Sequence, residues 1–191
     1  MRFLSSLSLS LSFSVHSYSV ESGIVTETTP ITNVTPRAEK LVQAEAIVTR
    51  AGGCALRLAG LYLLQRGAHS YWLNSAHAGE HTKPIQGNPD GWINLLHYDD
   101  AAGACWAALR AGPDVCRGKV FLISDGHPQT RRQIVQAALQ SAPYRNCPVP
   151  TFASEPDPSQ PGKRHDGSWS NQALQWEPKY ESFDKFMKAN A

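Results

Sequence analysis

The run WINLLHYDDAAGACWAALRAG, from Trp92 to Gly112, constrains this chain more than any other. It opens as a short apolar strand, Ile93 to Leu96, passes through His97-Tyr98-Asp99-Asp100, and continues as an alanine-rich helix. Ala101, Ala104, Cys105, Ala108 and Leu109 recur at helical spacing and so make one apolar face. Asp99 or Asp100 suits the N-cap, because a short carboxylate accepts from the free N–H groups of a first turn. Gly112-Pro113 is expected to stop the helix. A strand that hands a His and two carboxylates to a helix start puts polar side chains at the carboxyl end of a strand, where α/β folds bind ligands. The plainer reading makes Asp99 and Asp100 caps and His97 a loop residue. The residues alone leave both open.

The same strand–helix alternation recurs on either side. Pro36 can open a helix capped by Thr35, running from about Arg37 to Thr49 with Leu41, Ala44, Ile47 and Val48 on one face. Gly52-Gly53 ends it, and CALRLA, Cys54 to Ala59, reads as a buried strand interrupted by Arg57. Gly60-Leu61-Tyr62 is expected to begin a loop, followed by a loop and short helix from Leu63 to Pro89. VFLIS, Val120 to Ser124, is a second continuous apolar strand. Thr130 caps a helix of about Arg131 to Gln140, with Ile134, Val135, Ala138 and Leu139 as its apolar stripe. Strand and helix alternate three times, which predicts an α/β fold with parallel strands. A length of 191 residues fits one domain.

The ends are less regular. MRFLSSLSLSLSFSV has one Arg, no acid, and Leu alternating with Ser. It is open to reading as a weak signal peptide, as a stub of a Ser-rich transit peptide, or as a strand. Period-two alternation and the missing A-x-A site put a strand or a low-complexity scar first. Residues 21–36 are a Thr/Pro-rich loop. Residues 142–164 hold six prolines and little periodicity, so they either lie over the surface near a site or move. Residues 171–187 carry a short helix and then a last helix with Phe183, Phe186 and Met187 on one face.

Composition excludes some partners. Eighteen basic against sixteen acidic residues leave +2, too balanced for nucleic acid. No stretch is long and apolar enough to span a membrane. Four widely spaced cysteines, Cys54, Cys105, Cys116 and Cys147, read as reduced thiols, which argues against a secreted scaffold. His77 and His81 lie four apart, but no partner carboxylate is specified and Gly79 stands between them, so no metal site is expected.

Four segments in order carry a family resemblance: LRLAGLY (Leu56 to Tyr62), NLLHYDDAA (Asn94 to Ala102), GKVFLISDGHPQTRRQI (Gly118 to Ile134) and LQWEPKYESFDKFM (Leu174 to Met187). Together they resemble the second half of the extended short-chain dehydrogenase/reductases. The atypical NAD-dependent epimerase/dehydratase-like group of plants (often plastid-targeted) and bacteria is the nearest likeness. The resemblance implies a doubly wound, Rossmann-like parallel sheet lacking its N-terminal half, with a small C-terminal substrate lobe. On that plan residues 1–17 are a low-complexity or targeting-like start, 18–141 the second half of the Rossmann-like domain, and 142–191 the lobe and tail. It implies NAD or NADP as cofactor, a sugar or similar polar substrate, and a chloroplast or cytoplasmic location. By analogy Arg57 and Tyr62 fall near the nicotinamide, and Arg66, Tyr71, Lys163 and Arg164 near a polar substrate. His97 and Asp99 fall in the strand and turn that support the substrate loop.

Two departures qualify what the resemblance implies. No G-x-x-G-x-x-G follows a strand, and such glycines let the backbone approach a pyrophosphate at a helix N-terminus. The family's Tyr-x-x-x-Lys pair is also missing: Arg37 and Leu41 occupy its positions, and Tyr18 and Tyr62 have the wrong spacing. The expectation is therefore a truncated form that binds cofactor weakly and is inactive alone. The alternative is a catalytically silent module that contacts a partner, with Trp72, Trp92, Trp169 and Trp176 as possible anchors. Without the first strands, CALRLA, NLLHY or VFLIS is expected to be left as an unpaired edge open to self-association.

Overall fold

The computed structural model describes residues 9–13, 23–32, 36–77 and 84–191, with backbone alone at 9–13, 37 and 75–77. The strands are β1 (Leu9–Phe13), β2 (Gly23–Val25), β3 (Cys54–Leu58), β4 (Gly60–Tyr62), β5 (Trp92–Ile93), β6 (Leu95–His97), β7 (Val120–Ile123), β8 (Gln129–Thr130) and β9 (Lys163–His165). The helices are α1 (Pro36–Arg50), α2 (Ala68–His77), α3 (Tyr98–Cys116), α4 (Arg131–Ala138), α5 (Ser168–Leu174) and α6 (Phe183–Ala189).

The main sheet runs β1-β3-β7, all parallel, with Leu9 opposite Cys54 and Leu58 opposite Ile123. Its central strand β3 is buried along its whole length, because a parallel strand between neighbours has both faces covered, and Arg57 is the one charge in it. On one face Cys54, Leu56 and Leu58, with Phe121 and Ile123, pack on Ala101, Ala104, Ala107 and Ala108 of α3 and Leu174 of α5. The alanines let α3 lie close to the sheet. On the other face Leu122 packs with Val25 and Ile31, and Arg57 reaches α1.

That contact overturns the expected face of α1. Ala38 and Glu45 are buried, whereas Ala44 is exposed and Ile47 is 62% exposed. Glu45 Oε2 accepts from Arg57 Nε at 3.0 Å and from Nη2 at 2.9 Å, both side chains being buried. A guanidinium held inside the fold needs a charged, hydrogen-bonded partner. The pair therefore fixes the rotation of α1 ahead of its own apolar residues.

The edges also differ from expectation. CALRLA is the central strand, between β1 and β7. Among the described residues VFLIS is an edge, but Ser170 Oγ of α5 accepts from Leu122 N–H at 2.8 Å and donates to Glu27. Trp169 stacks on Phe121 at 5.5 Å, and a Cβ on Gly167 would overlap the Leu122 carbonyl oxygen. The expected strand Ile93 to Leu96 is interrupted at Asn94: β5 before it pairs antiparallel with β8, and β6 after it pairs parallel with β4. Gly60-Leu61-Tyr62 is thus a strand rather than the start of a loop.

His97, not Asp99 or Asp100, caps α3: its Nδ1 accepts from Asp99 N–H at 3.2 Å. Asp100 is turned away, accepting from Lys179 N–H at 2.7 Å and Tyr180 N–H at 3.1 Å. Gly112 (φ 74°, ψ −177°) breaks α3 as expected of a glycine, yet Pro113 starts a further turn to Cys116. A second core gathers Tyr62, Leu73, Leu95, Ile134, Tyr144, Phe183 and Met187 from α2, α4, α6 and the β4–β6 pair. Among the described residues no helix is long and apolar enough to cross a membrane.

Candidate functional site

A cleft of about 970 Å³ lies beside β5 and β9, lined by Gly60, Asn88, Trp92, Asn94, Arg131, Gln160, Lys163 and His165 among others. Two asparagines build it. Asn88, at the head of the turn Asn88-Pro89-Asp90-Gly91, donates from Nδ2 to Asp157 O at 2.7 Å and to Gln160 O at 2.8 Å. Its Oδ1 accepts from Asp157 N–H at 3.2 Å. It pins the Pro-rich segment over the surface as one wall, aided by Trp92 N–H donating to Pro161 O at 2.9 Å. Asn94 donates from Nδ2 to Lys163 O at 2.9 Å and accepts on Oδ1 from His165 N–H at 2.7 Å. Its carbonyl accepts from Gly60 N–H at 3.0 Å. One side chain thus stitches β9 to the β5–β6 junction, which is why the apolar run breaks there.

Arg131 supplies the cleft's guanidinium. It is half-buried, and Nη1 donates to Asn88 O at 3.1 Å. Among the described residues no carboxylate pairs with it. Gly87 and Gly91 leave it room: a Cβ on Gly87 would lie 3.1 Å from Nη2, and one on Gly91 3.0 Å from Nη1. Burial lowers its pKa from the ordinary value. His165 is pushed down to about 4 by burial, so it is neutral at physiological pH. Arg164 extends over the Trp92 ring, 5.9 Å from its centroid, into an adjoining groove. A planar cation, an ammonium, an aromatic face and amides make a site for polar, anionic small molecules.

The residues expected from the sequence scatter. Lys163 lines the cleft and Arg164 its neighbour. Arg57 is committed to Glu45 on the sheet. Tyr62 is fully buried. Arg66 is exposed over the Tyr98 ring at 5.1 Å, and Tyr71 is exposed on α2. His97 is buried as a cap, with burial holding its pKa below the usual value. Asp99 is exposed and accepts from Tyr180 OH at 3.2 Å. Arg37 and Leu41 both lie on α1, Leu41 half-buried. His77 ends α2, whereas His81 lies outside the described residues. Of the four tryptophans offered as anchors, Trp72 and Trp176 pack against the two cores, Trp92 lines the cleft, and Trp169 stacks on Phe121. Sequence reading missed Asn88, Asn94, Arg131 and Gln160 as site residues. The signal for Asn94 was present, a lone amide inside an apolar strand.

The dinucleotide cofactor that the resemblance implies does not fit the described residues. A pyrophosphate needs a glycine-rich turn from a strand into a helix. Here β6 enters α3 through His97-Tyr98 and β8 enters α4 through Thr130-Arg131, with no glycine at either entry and with His97 and Thr130 each taking one first-turn N–H, that of Asp99 and of Gln133. Gly52-Gly53 lies between a helix and a strand, and Gly60 sits in β4.

No family model matches the chain, and no curated protein matches it in sequence. Solved structures do. UDP-glucuronic acid 4-epimerase from Bacillus cereus, in complex with NAD, is similar at TM-score 0.75 and 18% identity, over 95% of this chain and 58% of that one. The Bordetella bronchiseptica enzyme WbmG, in complex with NAD, is similar at TM-score 0.70 and 19% identity, over 94% and 56%. UDP-glucose 4-epimerase from Thermotoga maritima, with UDP-glucose, is similar at TM-score 0.70 and 18% identity, over 95% and 61%. The chain therefore spans less than two thirds of the length of each of these structures, and over that span it has their α/β fold.

Proposed function

We propose that this chain is the substrate-side part of an NAD(P)-dependent epimerase/dehydratase-like protein, and that its cleft holds a sugar-like, negatively charged small molecule. The observation that carries this is Arg131: a half-buried guanidinium in the cleft, with no carboxylate paired to it among the described residues. Lys163 and the Trp92 face complete a surface suited to a charged sugar derivative. The structural neighbours, one with UDP-glucose and two with NAD, supply the class. With Arg37 and Leu41 at the positions of the acid–base pair and no glycine cradle among the described residues, the chain alone binds substrate rather than turning it over. Self-association through the outer edge of β1 belongs to the same reading. Titration of Trp92 fluorescence with UDP-glucose tests the cleft. Saturable quenching is expected, weakened at least tenfold by Arg131→Gln, because a hydrogen bond to a charged group is worth about 1.5–3 kcal/mol. NADPH is expected to give no micromolar binding. Equal UDP-glucose affinity in both proteins would rule the site out.

A further inference from the structure

The carboxyl ends of β4, β6 and β7 meet a buried polar cluster beneath α6. Tyr62 is fully buried, with its ring edge-on to His97 at 5.3 Å, to Phe183 at 5.0 Å and to Phe186 at 5.5 Å. Asp125 follows β7, is 3% exposed, and is tied to β6 by its N–H donating to Leu95 O at 2.9 Å. Its Oδ1 accepts from His127 N–H at 2.9 Å. Its Oδ2 has no hydrogen-bond partner among the described residues, and neither has the Tyr62 hydroxyl or Gln129 Oε1. Gln129 Nε2 donates to Asp184 Oδ1, in the first turn of α6, at 2.6 Å. A buried acid, a phenol and an amide oxygen, each short of a partner, thus lie below a seven-residue helix.

A buried carboxylate with one unpartnered oxygen is costly when charged and tolerable when protonated. Burial pushes Asp125 up to about 7. The facing charges add to this: Asp100 on α3 and Asp184 on α6 raise it, while the His127 N–H and ring lower it. Tyr62 on β4 is raised by burial and stays neutral. His97 on β6 is lowered by burial, with Asp99, Asp100 and Lys179 around it.

We propose that Asp125 is an internal proton site governing the seating of α6: the neutral acid lets the helix close over Tyr62, and ionisation unseats it. The sign follows from where the proton is held. The seated form keeps it up to about 7, whereas an unseated, solvated Asp125 releases it near 3.8, the ordinary carboxylate value. Seating therefore weakens as pH rises between those two values and levels off above. His97, neutral when buried, contributes the opposite slope below its own ordinary value, so the readout is the difference between wild type and Asp125→Asn.

Hydrogen exchange of residues 183–189 in the full chain, corrected for intrinsic chemistry at pH 5 and pH 8, tests the proposal. The opening of α6 in wild type relative to Asp125→Asn is expected to be at least tenfold greater at pH 8 than at pH 5, since one unit of pKa is a factor of about ten. Identical pH dependence in the two proteins overturns it. Should Asp125→Asn fail to fold, Asp184→Asn serves. It keeps an acceptor for Gln129 but removes a charge that raises Asp125, so opening at pH 8 should fall several-fold below wild type. An unchanged value there also overturns the proposal.

Discussion

The residue that most shapes the interior is Glu45. A carboxylate on a helix face is ordinarily solvated, yet this one is 3% exposed because Arg57 lies in the central strand. Both partners are buried, so the pair is costly to break although its net contribution to stability is modest. Glu45→Ala is expected to lower stability by about 3 kcal/mol, read as a lower urea midpoint at unchanged m. Glu45→Gln, which keeps an acceptor, should cost less. Arg57 was visible in the sequence as a charge in an apolar strand. Its partner was not, because Glu45 sits on the helix before it and falls outside the apolar stripe of Leu41, Ala44, Ile47 and Val48.

At the scale of elements, local chemistry carried over well. Thr130 and Gln133 form a reciprocal capping box: Thr130 Oγ1 accepts from Gln133 N–H at 3.2 Å, and Thr130 N–H donates to Gln133 Oε1 at 2.9 Å. α4 starts where the sequence placed its cap and buries Ile134, Val135, Ala137 and Ala138. Thr130→Ala is expected to cost about 1 kcal/mol, measured by thermal unfolding. It should also weaken UDP-glucose binding, because Arg131 is the first residue of that helix. α3 went differently. It begins at Tyr98, ahead of the start that a cap at Asp99 or Asp100 implies, and His97 is the cap, because Asp100 is taken by the backbone of Lys179 and Tyr180, 79 and 80 residues away.

At the scale of the whole molecule the edges decide behaviour. β7 is closed by Ser170, Gly167 and Trp169. β1 pairs only with β3 among the described residues, and an open parallel edge templates further pairing. Light scattering is expected to show a mass that rises with protein concentration. Ser170→Ala, which frees Leu122 N–H on the opposite edge, should raise it further. A monomer mass at all concentrations in both proteins would remove the edge as a site of association.

The strands at 54–58 and 120–123, their parallel sense and the capped helix from Arg131 are legible in the sequence, because period, capping and glycine placement act over a few residues. Long-range contacts set which face of α1 is buried, break the run after Ile93 at Asn94, and bring Asn88, Asn94 and Arg131 around one cleft. Those outcomes rest on hydrogen bonds between residues tens of positions apart, such as Asn94 with Lys163 and Asn88 with Asp157, both 69 apart. No local pattern encodes such pairings. The same holds for Asp125, which reads in sequence as a turn residue after a strand and is a buried acid in the fold, its N–H bonded to Leu95 O.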